Sequence, residues 1–145
     1  MYNAVILSGV SAWLVAQIIK TILHAIKSNK VVYERFVGAG GMPSSHTSMV
    51  ISSLITVGRS EGIGSTLFGV MFIFSAIVIY DAMGVRHAAG EQAKEINSIN
   101  KILLKGMKSD SDKKELKELL GHTPLEVAAG AILGVIIGMI IPIKG

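Results

Sequence analysis

The sequence predicts an all-α integral membrane protein, a bundle of about four membrane-crossing helices that forms a single domain over residues 1–145. The first observation behind this prediction is composition. Half of the 145 residues are hydrophobic, 17% are charged and the mean hydropathy is +0.57, whereas a typical soluble domain carries about 25% charged residues. The second is that the apolar residues gather into runs long enough to cross a bilayer.

Three apolar runs have membrane length, at 4–26, 63–80 and 127–143, and the last two are uncharged throughout. A fourth run, 44–58, is shorter, because its residues rise about 22 Å in a helix whereas the hydrocarbon core is roughly 30 Å thick. We therefore expect the fourth run to be shielded by its neighbours or to lead into a re-entrant turn. The first lysine is at position 20, so we expect the first run to be a retained helix, not a cleaved signal peptide.

The one strongly polar stretch, 86–122, lies between the third and the last span. Within it, apolar residues recur at spacings of three and four, which predicts an amphipathic helix on the bundle or at the lipid interface; they are Ala93, Ile96, Ile99, Leu103 and Met107. The following "SDSDKKELKELLG" predicts a short capped helix with Leu116 on its apolar face and Gly121 at its end.

Lysine and arginine residues indicate the orientation. With four spans, eleven of them fall in the connections after the first and third spans, and only Arg59 and Lys144 fall on the other side. The positive-inside rule then places the polar connections, with any functional site beside them, in the cytoplasm and both termini outside the cell membrane. The formal net charge of +4 fits cytoplasmic loops near anionic lipid, so we expect no nucleic-acid partner.

A glycine stripe marks the last span. Gly130, Gly134 and Gly138 are spaced by four, which favours close helix packing. This surface serves either the bundle itself or a homodimer.

Polar residues on the first span form one stripe, since Gln17, Lys20, His24 and Lys27 follow one another at spacings of three or four. One stripe implies one cavity. The alternative is that the lysines snorkel to the membrane surface, which suits Lys27 better than Lys20, about two turns deeper.

Two helix starts carry histidines. In "GGMPSSH", Pro43 fits the first turn of a helix beside a capping hydroxyl, and a helix start approached by glycines offers N–H donors to an anion such as phosphate. In "LGHTPLEVAAG", Thr123 is the expected N-cap and Glu126 completes a capping box. Capping alone explains Glu126, but it does not explain His122.

A third polar group, "YDAMGVRHAAGEQAKEIN", contains Asp81 and Arg86. Two histidines, an arginine, a lysine from the first span and carboxylates at one membrane level suit phosphoryl transfer, in which cations hold the phosphate oxygens, one imidazole attacks and the other protonates the leaving oxygen.

Together "GGMPSSH", "DAMGVRHAAGEQA" and "LGHTPLEVAAG" resemble the divergent branch of the phosphatidic acid phosphatase type 2 superfamily, whose members are related to acid phosphatases and vanadium-dependent haloperoxidases. The three stretches extend from Gly40 to Gly130, and Gln17 and Lys20 of the first span also fit, so the resemblance covers nearly the whole chain. The superfamily's Pro-Ser-Gly-His motif implies phosphate binding by Ser44 and Ser45 and a general-acid role for His46, with Ser45 in place of the glycine.

The superfamily's last motif has a nucleophilic histidine followed four residues later by an orienting aspartate, and the resemblance assigns these roles to His122 and Glu126. For the phosphate clamp it implies Lys20, Arg35 and Arg86, joined by Asp81. Here the sequence departs from the superfamily pattern in two respects. The superfamily's arginine lies a few residues before its nucleophilic histidine, whereas Arg86 lies 36 residues before His122. The superfamily's first motif has a lysine and an arginine followed by proline, whereas no proline directly follows Lys27 and Arg35.

The function that follows is metal-independent hydrolysis of a lipid or amphiphilic phosphate ester, with no cofactor. The chain has no cysteine, which excludes thiolate chemistry, and two-metal hydrolysis would require several clustered carboxylates. A metal held by Asp81, Glu91 and Glu95 remains an alternative. Another is a non-catalytic membrane module that binds phospholipid headgroups or a partner protein, or a small carrier. A haloperoxidase is disfavoured, because a lipid-embedded bundle suits diffusing halide and peroxide poorly.

Overall fold

The computed structural model describes residues 3–28, 41–104, 116 and 121–143, which form five helices and no strand. The all-α prediction is therefore confirmed, and the four apolar runs and the amphipathic segment each correspond to a helix. The helices are α1 (Ala4–Ser28), α2 (Ser45–Ser60), α3 (Thr66–Met83), α4 (Val85–Leu104) and α5 (Pro124–Ile140).

Among the described residues, two helical stretches are long and apolar enough to cross a membrane, Ala4–Ile26 and Thr66–Leu103, whereas α5 is apolar but has 17 residues. Local capping explains where α1 and α3 begin. The Asn3 carboxamide accepts hydrogen bonds from the first backbone N–H groups of α1, and the Ser65 hydroxyl accepts one from Phe68 N at 3.1 Å.

The short helix α2 lies at the centre of the bundle and contacts α1, α3 and α5. Our expectation that neighbours shield this short run is thus confirmed. Its buried face is rich in serine and threonine, whose hydroxyls bond to one another and to helix carbonyls: Ser8 Oγ and Ser52 Oγ lie 2.9 Å apart, and Thr56 Oγ1 lies 2.8 Å from Ser8 Oγ. Because these buried hydroxyls are hydrogen-bonded to one another, they hold α1 against α2 without the cost of an unsatisfied polar group in an apolar environment.

The glycine stripe of α5 packs against α2 within the chain. A Cβ atom built on Gly130, Gly134 or Gly138 would lie 2.5, 2.7 or 2.8 Å, respectively, from a backbone oxygen of α2. Such distances are too short for any side chain, so glycine is what allows the two backbones to approach. A homodimer through these three glycines would have to displace α2 from this face.

The amphipathic helix begins earlier than the sequence predicted, because α4 follows α3 after the single residue Gly84. Ala93 and Asn97 are buried, whereas Ile99 and Leu103 are more than half exposed. Within the described part of the chain, the apolar residues of this face are thus largely uncovered, which agrees with the lipid-interface alternative.

The short helix expected before Gly121 lies mostly outside the described residues. At Leu116, which is described, the chain is not helical, so the expectation is wrong at that residue. The reason is that both backbone groups of Leu116 bond to the Asn97 side chain: Asn97 Nδ2 donates to Leu116 O at 2.9 Å, and Leu116 N donates to Asn97 Oδ1 at 3.0 Å.

Candidate active site

Two backbone hydrogen bonds bring three helix ends together at one end of the bundle. Ser44 N donates to Glu126 O at 3.0 Å, which joins the start of α2 to the start of α5. His122 N donates to Ala82 O at 2.9 Å, which joins the residues before α5 to the end of α3. The three motifs that are far apart in the sequence therefore meet in one place.

His122 and Glu126 form a direct pair. His122 Nδ1 and Glu126 Oε2 lie 3.1 Å apart, and the histidine is 4% exposed. The two residues are one helical turn apart, and the capped start of α5 fixes the position of the carboxylate. If Nδ1–H donates to the carboxylate, the lone pair of the imidazole resides on Nε2.

The same carboxylate oxygen also caps the helix. Thr123 N donates to Glu126 Oε2 at 3.0 Å, and Glu126 N donates to Thr123 Oγ1 at 3.3 Å, so the expected capping box is present. The two roles considered for Glu126, capping and orienting His122, thus occur together on one oxygen atom. The hydrogen bond from Thr123 N restrains the Glu126 carboxylate, and the carboxylate in turn restrains the orientation of the His122 imidazole.

At the start of α2, Ser44 is the N-cap, and its hydroxyl accepts from Thr47 N at 3.4 Å and from Thr47 Oγ1 at 3.0 Å. Pro43 therefore precedes the cap, and its predicted place in the first helical turn is wrong. Proline has no backbone N–H that would need a hydrogen-bond partner at this position, and the residue after it, Ser44, caps the helix.

The burial of the motif residues differs. Ser44 and Ser45 are buried at 0% and 2% exposure, and His46, on the first turn of α2, is half-buried. The first-turn N–H groups of α2 and the helix dipole place partial positive charge at this end of the bundle.

Lys20 of α1 is buried at this same end, at 3% exposure. Its aliphatic stem passes beneath Gly41, since a Cβ built on Gly41 would lie 3.3 Å from Lys20 Cγ. Gly41 also has a φ of +90°, a conformation that favours glycine. The backbone at Gly41 thus lies close over the lysine stem, and the deep position of Lys20 argues against simple snorkelling to the surface.

For the other predicted site residues, the structure gives less information about their position relative to His122. Asp81 is half-buried and precedes Ala82, whose carbonyl binds His122 N. Arg86 lies on the first turn of α4, but its side chain is outside the described part of the structure, and Arg35 lies outside the described residues altogether. Among the described residues, Asp81, Glu91 and Glu95 form no group that could hold a metal ion.

Sequence reasoning missed Asn97, which ties α4 to the segment that leads to His122. A signal was present, because Asn97 lies four residues after Ala93 on the otherwise apolar stripe, and a carboxamide in such a place needs a partner. The hydrogen bond from His122 N to the Ala82 carbonyl could not be predicted in this way, since every residue type has a backbone carbonyl.

The model of the divergent PAP2 family matches residues 1–137. The chain belongs to the divergent PAP2 family. It is 38% identical, over 149 residues, to the Bacillus subtilis (strain 168) protein described as "Uncharacterized membrane protein YuiD", and the alignment covers 96% of this chain and 94% of that relative. No solved structure matches the chain. The divergent PAP2 family member described here is thus a membrane protein, as its apolar helices also indicate.

Proposed function

We propose that the protein is a membrane phosphatase that hydrolyses a lipid or amphiphilic phosphate monoester through a histidine nucleophile, without a metal ion. The observation that carries the proposal is the contact between buried His122 and half-buried Glu126, held at 3.1 Å by a capped helix start. A carboxylate in contact with Nδ1 keeps the lone pair on Nε2 and stabilises the cation that forms when Nε2 gains a bond.

The chemistry has two steps. In the first, His122 Nε2 attacks phosphorus, the bond from phosphorus to the ester oxygen breaks, and a phosphohistidine forms while the alcohol leaves with a proton. In the second, water attacks the phosphohistidine, the nitrogen–phosphorus bond breaks, and inorganic phosphate and the free imidazole result. In this scheme Glu126 remains a carboxylate and acts by orientation and charge.

His46 is the proposed proton donor to the leaving oxygen. It lies on the first turn of α2, beside the cap that the Ser44 N to Glu126 O bond ties to α5. The buried Lys20 ammonium and the amides at the start of α2 would offset the charge of the phosphate oxygens, with Ser45 as a further binding group. Asp81, Arg86 and Arg35 are proposed to complete the binding site from the neighbouring segments.

A headgroup-binding module or a carrier would use the same cations. It would have no need for a carboxylate that contacts Nδ1 of a buried imidazole, and this is why the enzyme is the favoured function. The site is proposed to face the cytoplasm, in accordance with the distribution of lysine and arginine.

The test separates the roles of the two histidines. With purified protein we expect His122→Ala to abolish both phosphate release and the acid-labile phosphoenzyme. His46→Ala should lose about 10²–10⁴-fold with an alkyl phosphate, whose alkoxide needs a proton, but much less with p-nitrophenyl phosphate, whose leaving group needs little protonation. Size-exclusion profiles and thermal unfolding in detergent check that both variants fold.

Two outcomes would contradict the proposal. A phosphoenzyme trapped in His122→Ala would remove His122 as the nucleophile. Binding of phosphate esters with no turnover of any of them by the unchanged protein would favour the headgroup-binding module.

A further inference from the structure

An apolar groove opens on the bundle surface between α1 and α5, next to the candidate active site. It encloses about 210 Å³, and every residue that lines it is apolar. Ile19 and Leu23 form one wall, Ala129 and Ile136 form the other, and Met42 and Pro43 close one end.

The residues that line the groove are close in sequence to those of the candidate active site. Pro43 directly precedes the cap residue Ser44, Ile19 directly precedes Lys20, and Ala129 lies three residues after Glu126. Each of the three chain segments that line the groove therefore also carries a group of the phosphate site. The groove therefore offers an apolar surface beside the proposed phosphate site.

The dimensions fit one hydrocarbon chain. Along α5 the lining extends from Ala129 to Ile136, a rise of about 10 Å at 1.5 Å per residue. Dividing the volume of about 210 Å³ by this length gives a cross-section of about 20 Å², which is about that of one extended hydrocarbon chain. At roughly 30 Å³ per water-sized group, the groove holds about seven methylenes.

We propose that this groove binds the hydrocarbon chain of the substrate, and that the substrate is a phosphate monoester with a single chain next to the phosphate. This inference rests on the proposed phosphatase function and specifies its substrate class. The ester enters sideways from the lipid phase between α1 and α5, and its chain stays in the groove while the phosphate meets His122. Discrimination follows from shape, since a two-chain phospholipid would leave its second chain outside the groove.

The experiment blocks the groove and follows both labelling and turnover. Ala129→Phe places a large side chain in the groove, and Ala128→Phe is the matched control, because Ala128 is the neighbouring alanine and is exposed. The probe is an alkyl phosphonate with one chain and a diazirine near its middle, which cannot be hydrolysed. A second probe is the alcohol of the same chain and diazirine.

We expect the phosphonate to label groove residues such as Ile132 and Ile136 in the unchanged protein and in Ala128→Phe, and to lose this labelling in Ala129→Phe. The alcohol should label these residues weakly. In turnover, the ratio of kcat/KM for a single-chain alkyl phosphate to that for p-nitrophenyl phosphate should fall tenfold or more in Ala129→Phe. Such a loss corresponds to about two buried methylenes at roughly fourfold each.

Each other outcome decides a separate point. Equal labelling by the alcohol and the phosphonate would mean that any membrane lipid chain occupies the groove, and would overturn the proposal. So would labelling that Ala129→Phe leaves unchanged, or labelling spread equally over α3. Groove labelling by the phosphonate without turnover of any ester would refute the phosphatase and keep the groove as a binding site, whereas turnover without groove labelling would refute the groove alone.

Discussion

Changing Glu126 to glutamine separates the two contacts that its carboxylate makes. Glutamine keeps an oxygen that can accept from Thr123 N, and a capping box accepts glutamine as well as glutamate. The negative charge beside His122 Nδ1, now 3.1 Å from Glu126 Oε2, is lost. The substitution therefore preserves the helix start and removes the charge that would stabilise a phosphohistidine.

The expected loss of kcat follows from the charge that is removed beside His122. A hydrogen bond to a charged group contributes about 1.5–3 kcal/mol, which at 1.36 kcal/mol per tenfold corresponds to a fall in kcat of about 10- to 150-fold. The change in unfolding free energy should be small, because the cap survives.

The matched variant is Thr123→Ala, which has the opposite profile. It removes the hydroxyl that accepts from Glu126 N but leaves the carboxylate beside His122. We expect it to cost about 1 kcal/mol of stability, the typical value of an N-cap, with most of kcat retained.

The assay is phosphate release from a single-chain alkyl phosphate at saturating concentration, with thermal unfolding in the same detergent. A near-normal kcat in Glu126→Gln would show that the carboxylate serves the helix cap alone. An equal loss of activity in Thr123→Ala and Glu126→Gln would show that the helix start, not the charge, supports catalysis.

Two further predictions concern packing and orientation. Gly134→Ala should cost about 1–3 kcal/mol, since its Cβ would lie 2.7 Å from a backbone oxygen of α2, whereas Gly69→Ala, with nothing within 4 Å of its Cβ, should be neutral or stabilising; equal thermal midpoints for the two variants would contradict the glycine packing. Because the chain has no cysteine, single cysteines at Asn29 and Ser109 should react with an impermeant thiol reagent only after the cytoplasmic side is opened, and one at Ser60 should react from outside. Labelling of Ser109 in intact cells would reverse the orientation.

The positions of the helices could be predicted from the sequence because they depend on local order. Runs of apolar residues set the lengths of α1, α3 and α5, and the threonine, proline and glutamate at the start of α5 predicted the observed capping box. Each of these signals acts between residues within one helical turn of each other, so it can be read along the chain.

The motifs also predicted which residues are candidates for the site, but not how they meet. Lys20, His46 and His122 lie on three different segments, and only the packing of α1, α2 and α5 places them at one end of the bundle. Local prediction failed where a distant group took part: Leu116 is not helical because Asn97 binds its backbone, and Pro43 lies outside the helix because Ser44 is the cap.

Patterns along the chain were sufficient to predict a membrane-embedded, all-α protein with two histidines beside capped helix starts. Only the packing of the helices showed that α2 is central, that the α5 glycines face it, and that one Glu126 oxygen contacts both Thr123 and His122. It also decided that an apolar groove lies beside the phosphate site. The physical reason is that helix formation depends on neighbours three and four residues apart, whereas a site and a groove depend on which helix faces come into contact.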